Sequence, residues 1–182
     1  MRAVWNIAVT CSLALALTCA PSRRSQPGLF RSQEHRFSIV FPSEWVVKVG
    51  ASEASTVVRA VYRGNSINVN VGDCGVPQAD ATTLTDAEIE GLWHRALADV
   101  RRDFPNTSLV AKGKGRLGDR PAWFLKYDVV HDGPTGSVNV RLLTYQTLRK
   151  GVFYTITATA KRAEYEEVEP LFLQAFSSFS LE

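Results

Sequence analysis

Apolar and polar positions divide the chain into an apolar leader, a polar stretch and one long patterned region. Within that region, Phe37-Ser-Ile-Val-Phe41 alternates as a short strand does and stops at Pro42, after which Ser43-Glu44 turns the chain into residues 45–49. Residues 56–63 and 66–72 predict a hairpin around Gly64-Asn65. In its second arm Ile67, Val69 and Val71 share one face, and Asn68 and Asn70 share the other. The period then changes to 3.6. Thr85-Asp-Ala-Glu88 forms a capping box, and apolar residues recur at Ile89, Leu92, Trp93, Ala96, Leu97, Val100 and Phe104, ending just before Pro105. Beyond it the period returns to two. Residues 108–114 lead through Gly115-Arg-Leu-Gly118 into 121–131, Asp132-Gly133-Pro134 turns into 137–148, and Arg149-Lys150-Gly151 turns into 152–160. These β-branched and aromatic runs with short turns predict an antiparallel meander.

The chain closes with helical spacing at Tyr165, Val168, Phe172, Ala175, Phe176 and Phe179. Pro170 falls inside this run, and an interior proline costs a helix about 3 kcal/mol, so the pattern predicts a short acidic turn followed by a helix from near Glu169. Four strands, a helix, four strands and a helix imply an α+β domain, one antiparallel sheet with two helices packed on it.

The leader changes the picture of where the protein works. Arg2 precedes an apolar run over residues 9–17, the layout of a secretory signal and too short to span a bilayer comfortably. Residues 20–35 are rich in Pro, Ser, Arg and Gln and read as a flexible tether, so the boundaries are 1–19 for the signal, 20–35 for the tether and 36–182 for a single domain. Thr18 and Ala20 suit an ordinary signal peptidase but would leave Pro21 first. Ala16-Leu17-Thr18-Cys19 resembles a bacterial lipobox, in which the cysteine is acylated and becomes the first mature residue. It departs from that pattern at Ala16 and Thr18. Cys19 is therefore the candidate lipid attachment, and the membrane the expected partner through it; the alternative is a cysteine discarded with the signal, as Cys11 is read. Cys74 then remains as a lone thiol, read as buried and inert.

Composition excludes several classes. The 182 residues are 45% hydrophobic with a formal net charge of +3 and no dense basic run, which argues against disorder and against nucleic acid. Gly113-Lys-Gly115-Arg-Leu-Gly118 satisfies the dinucleotide pattern G-x-G-x-x-G, but a strand follows it where that motif needs a helix, so its glycines are read as turn residues. His35, His94 and His131 have no second ligand at zinc spacing, and no G-x-S-x-G elbow occurs, so no metal, cofactor or catalytic residue is predicted. The run Glu164, Glu166, Glu167 and Glu169 is favourable near a helix start without any further role. What remains is the polar sheet surface. Asn68, Asn70, Lys126, Asp128, Asn139 and Arg141 lie in strands off the apolar alternation, and Asn68, Asn70, Lys126, Asn139 and Arg141 are the candidate face for a small ligand or protein partner.

The opening Phe37-Ser-Ile-Val-Phe-Pro-Ser-Glu-Trp45, the late strand Gly151-Val-Phe-Tyr-Thr-Ile-Thr-Ala-Thr-Ala160 and the closing helix ending in Ser178-Phe179 together resemble the PsbP-like fold, and within it the small exported lipoproteins of the LpqN type. The resemblance spans nearly all of residues 36–182. It implies an α/β/α sandwich around an antiparallel sheet, in proteins that serve as accessory or binding subunits, and it carries over no catalytic residue. The resulting expectation is a noncatalytic, exported, lipid-anchored binding or accessory domain of the bacterial envelope. A periplasmic chaperone or assembly factor and a hydrolytic enzyme are the alternatives.

Overall fold

The structure, a computed structural model, describes residues 28–50, 55–133 and 136–182. The predicted signal, Cys19 and residues 20–27 of the tether lie outside the described residues. In chain order the elements are β1 (Leu29–Ser32), β2 (Phe37–Val40), β3 (Val46–Val49), β4 (Thr56–Tyr62), β5 (Asn65–Asp73), α1 (Asp86–Asp103), β6 (Ser108–Leu117), β7 (Arg120–Gly133), β8 (Gly136–Arg149), β9 (Val152–Lys161), α2 (Tyr165–Ser177) and β10 (Ser180–Leu181). Strands β3 to β9 form one seven-stranded sheet in the order β3-β4-β5-β9-β8-β7-β6, and β1, β2 and β10 form a second sheet with β2 in the middle. Each pair of neighbours is antiparallel. The predicted α+β class is the one observed, with β2 placed in a small second sheet.

The two helices cover opposite faces of the large sheet. Successive residues of a strand point to opposite sides, and on β8 Leu142 packs with Ala96 and Val100 of α1 while Leu143 packs with the cluster that holds Phe172 and Phe176 of α2. On the α2 side Ile67, Val69, Ile156 and Ala158 are fully buried beneath the helix and the small sheet. Phe37 and Ile39 of β2 point into the same cluster, where Phe37 stacks on Phe179 at 5.5 Å between ring centroids. Fully burying one such side chain contributes about 1.5–3 kcal/mol, so this face supplies most of the core.

The capping box forms as the pattern predicts. Thr85 Oγ1 accepts from the Glu88 amide at 3.3 Å, and a Glu88 carboxylate oxygen accepts from the Thr85 amide at 2.8 Å. Cys74 is buried among Trp123, Leu148 and Phe153, in agreement with its reading as an inert thiol.

Three expectations are corrected. Residues 29–32, placed in the tether, form β1, because Phe30 turns inward against Phe37 at 5.7 Å and the backbone pairs with β2. Helix α2 starts at Tyr165 and runs through Pro170, since both Pro170 and Glu166, whose carbonyl loses its partner, lie on the exposed side of the helix. Gly113 and Gly115 are strand residues of β6, and the rings of Phe124 and Tyr145 lie across them; a Cβ at Gly113 would meet the Phe124 ring at 2.9 Å.

Gly118 is the member of that motif that turns the chain. It has φ +58, its amide donates to the Phe176 carbonyl at 3.1 Å, and a Cβ there would sit 1.8 Å from the Phe179 carbonyl oxygen. Gly118→Ala is expected to lower stability by about 3 kcal/mol or more in urea unfolding, through left-handed strain plus overlap. Gly64→Ala, with φ +86 and open space around it, is expected to cost only about 1 kcal/mol; equal losses would show that the close approach at Gly118 does not matter.

Candidate functional site

Strand register lays the residues of the large sheet out in rows. On the α2 side one row runs Lys126, Leu143, Ala158, Ile67, Ala60 and Val47 across six strands. On the α1 side three neighbouring rows run Trp123–Gln146–Thr155–Asn70–Thr56, then Leu125–Thr144–Thr157–Asn68–Arg59–Lys48, then Tyr127–Leu142–Thr159–Ser66–Val61–Val46. Each of these begins apolar under α1 and becomes polar as it crosses to β9 and β5.

This register splits the predicted candidate face. Asn68 and Asn70 lie on the α1 side, whereas Lys126 and Arg141 lie on the α2 side and exposed Asn139 follows the same alternation two residues before Arg141. Alternation along one strand groups positions i and i+2, but it does not say which group of another strand shares their side; that requires the pairing partners. The five residues therefore do not form one surface.

Lys126 and Arg141 on the α2 side belong to ion pairs that tie β7 and β8 to the start of α2. Arg141, 6% exposed, holds Asp128 with two hydrogen bonds of 2.7 and 2.9 Å and reaches Glu166 at 3.1 Å. Arg162 adds a 2.9 Å bond to Asp128, and Lys126 pairs with Glu169, which also accepts from the Tyr165 hydroxyl at 3.1 Å. Hydrogen bonding by Arg141, against the opposing effect of partial burial, holds the Asp128 carboxyl below the usual carboxylate range. Burial first, then the Glu169 carboxylate, pushes the Tyr165 phenol well above its ordinary value. The acidic run that opens α2 thus ties the helix start to β7 and β8, a structural task.

The α1-side polar rows are different. Helix α1 is tied to β6 along one flank by ion pairs of Glu90 with Lys112 and Asp86 with Lys114. At 100° per residue, Arg95 and Asp99 then fall on the opposite flank, which borders β9. On this side Phe153 of β9 still packs with Ile89 and Leu92, but the helix clusters include no residue of β5, β4 or β3 among the described residues. From beneath α1 the hydrogen bonds run outward: the Trp123 indole donates to Gln146 at 2.9 Å, Gln146 to Thr155 at 3.2 Å, and Thr144 shares a proton with Thr157 at 3.1 Å. Farther along, the Thr56 hydroxyl donates to Asn70 at 3.0 Å. There the pairing stops. Arg59 Nε, Asn68 Oδ1 and Thr159 Oγ1 are buried with no hydrogen-bond partner among the described residues.

Arg59, Thr157, Thr159 and Lys48 were missed at the level of sequence. Their signal was present: Thr155, Thr157 and Thr159 alternate with the buried Ile156, Ala158 and Ala160, and Arg59 alternates with Val58 and Ala60.

Elsewhere the described side chains assemble no reactive pair. His94 is exposed and meets Glu90 at 3.3 Å on the surface of α1, and Cys74 Sγ meets only backbone atoms of Val76. Among the described residues no three His, Cys, Asp or Glu side chains come together as metal ligands, and no helix is long and apolar enough to cross a membrane. A cleft of about 440 Å³ lies at the sheet edge between the β1–β2 turn, at Glu34 and His35, and Val49, Thr56 and Val71; Arg31 also lines it and is already paired with Glu182.

The family model for PsbP matches residues 28–181. The chain belongs to the PsbP family. The match begins at Gly28, the first described residue, and includes β1. The solution structure of the cyanobacterial PsbP from Synechocystis sp. PCC 6803 is similar, with a TM-score of 0.63 at 14% identity, over 91% of this chain and 98% of that one. So is the crystal structure of LpqN from Mycobacterium tuberculosis, a protein involved in cell envelope biogenesis, with a TM-score of 0.52 at 12% identity over 86% of this chain and 90% of that one. At these identities the likeness establishes the fold. No curated protein sequence matches this PsbP-family chain.

In this PsbP-family domain Asp128 links acid sensitivity to the α2 network. Because its folded-state pKa is lowered, its stabilisation is fully present above the unfolded value of about 3.9 and is lost as pH falls through the folded value. Asp128→Asn is expected to cost about 2 kcal/mol in urea unfolding at pH 7, with the difference from the parent shrinking below about pH 3.9. A difference that stayed constant down to pH 2 would assign the loss to packing.

Proposed function

We propose that this chain is a noncatalytic, exported binding domain of the bacterial envelope, anchored by lipid at Cys19, whose binding surface is the polar half of the α1-side face. The observation that carries the binding role is the set of buried polar atoms without partners at Arg59, Asn68 and Thr159. Leaving such an atom unsatisfied costs about 1–3 kcal/mol, and a hydrogen-bonding ligand recovers that loss. The Lys126–Arg141 side, by contrast, has its charges already paired.

The anchor fits this placement. Residues 20–27 separate Cys19 from Gly28, and fully extended they span at most about 30 Å, which keeps the domain close to the bilayer. The fold shared with LpqN, a protein of cell envelope biogenesis, supports the same setting.

Both halves of the reading can be tested in one bacterial host. Radiolabelled palmitate is expected to mark the parent chain and not Cys19→Ser; equal labelling of the two would overturn the anchor. In an NMR screen of polar fragments, hits are expected to shift the signals of Asn68, Thr157 and Thr159 and to be lost in Asn68→Leu with Thr157→Val. Hits that gather at Lys126 and Arg141 instead would overturn the surface.

A further inference from the structure

Lys48 and Arg59 face each other across β3 and β4 in the middle polar row. Like charges directly opposite on adjacent strands repel, and elsewhere in this protein strand cations are neutralised. Lys112, Lys114, Arg120, Lys126, Arg141 and Lys161 each pair with a carboxylate. Arg31 pairs with Glu182, and Arg116 and Arg149 donate to backbone carbonyls. Among the described strand residues Lys48 and Arg59 alone have neither a carboxylate nor a hydrogen-bond acceptor. No Asp or Glu occupies the α1-side positions of β3, β4, β5 or β9 from Val46 to Val61, Ser66 to Asn70 and Thr155 to Thr159.

Resting on the polar-face reading above, we propose that this site binds a carboxylate that carries a hydroxyl or amine donor beside it. Arg59 is the fork for the carboxylate, Lys48 is the second positive charge, and Asn68 Oδ1 accepts from the neighbouring donor. Arginine offers Nε and one Nη as parallel donors matched to the two oxygens of a carboxylate. Its Nε is now unpartnered and buried, while the residue as a whole is only half-buried, so a rotation of the guanidinium presents that edge to a ligand. Asn68, directly across from Arg59 on β5, has its carbonyl oxygen without a donor. Adjacent strands lie about 4.8 Å apart, and vicinal carboxylate and hydroxyl groups can bridge that distance between two side chains. Thr159 Oγ1, one row on, is a further buried polar atom without a partner. A carboxylate with a neighbouring donor fits better than a phosphate, because Asn68 Oδ1 beside Arg59 is an acceptor that a further anionic oxygen would meet unfavourably, whereas a hydroxyl or amine satisfies it.

The test is an NMR titration of the ¹⁵N-labelled full chain with glycerate, glycerol and inorganic phosphate. Glycerate is expected to shift the Arg59 Nε–H and Asn68 side-chain amide signals saturably, glycerol to leave them in place, and phosphate to bind about tenfold more weakly or worse. Arg59→Met is expected to weaken glycerate by about tenfold or more and Lys48→Met by about threefold. Lys48→Met is also expected to keep or raise the melting temperature, because it removes a repulsion, which separates a binding loss from unfolding. Equal binding of glycerol, tighter binding of phosphate, or glycerate binding unaffected by Arg59→Met would each overturn the carboxylate site. Fragments that bind through Asn68 and Thr157 and ignore Arg59→Met would leave the polar-face reading standing while this proposal falls. Absence of any ligand on these rows would remove both.

Discussion

The pairing of β5 with β9 is the constraint on which the rest of the molecule depends. It joins the meander β3-β4-β5 to the meander β9-β8-β7-β6 through an unbroken register from Ser66↔Thr159 to Asp73↔Val152. Both faces take their character from it. In this register Ile67 and Val69 meet Ala158 and Ile156 under α2, while Asn68 and Asn70 meet Thr157 and Thr155 on the other side. A slip of one residue would send the asparagines into the apolar cluster and the isoleucine and valine into the polar rows. Burying two amides in an apolar cluster, at about 1–3 kcal/mol for each unsatisfied group, adds to the exposed apolar area. The alternation on both strands therefore selects one register.

Coverage of the two faces follows from width. A helix with its side chains is about 10–12 Å across, and strands are spaced about 4.8 Å apart, so one helix shields little more than two strands. On the α2 side the helix shares its layer with the small sheet, and together they bury β4, β5, β8 and β9. On the other side α1 is the helix among the described residues, and it is drawn toward the β6 edge by Lys112 and Lys114. The half-face left over would be an apolar liability if its rows continued as they begin. Beyond α1 they turn to threonine, asparagine and serine, of which Ser66, Thr157 and Thr159 are buried while Asn68, Asn70 and the neighbouring Arg59 keep part of their surface exposed.

Much of this architecture is legible in the sequence, and what is not has a common cause. The capping box at Thr85 and the alternation of residues 66–72 and 152–160 are local patterns, and local patterns appear in the structure where they were read. Strands β1 and β10 escaped because a four-residue and a two-residue strand carry too little pattern; both exist by pairing with β2. Pro170 misled because propensity penalises the interior of a helix regardless of exposure, whereas the observed helix keeps the lost bond on its outer side. The glycines at 113 and 115 look like turn residues until the rings of Phe124 and Tyr145 are seen to occupy the space that side chains would fill. The candidate face failed for the same reason in another form. Which polar residues share a surface is a property of strand pairing across the whole sheet, and no window of neighbouring residues contains it.

Two polar clusters survive in the folded protein, and satisfaction of charge separates their roles. Around Arg141 every participant finds a partner: the guanidinium is spent on Asp128 and Glu166, and Lys126 and the Tyr165 hydroxyl both reach Glu169. Such a network is costly to break but has nothing left to offer a ligand. Around Arg59 the opposite holds, since two cations oppose each other without a carboxylate and an acceptor beside them lacks a donor. A protein under selection for stability alone would remove that frustration with a single acidic or apolar substitution on β3 or β4. That Arg59 and Asn68, two of the unsatisfied groups, face each other in one row beside Lys48 is the physical reason to place recognition there and scaffolding at the start of α2.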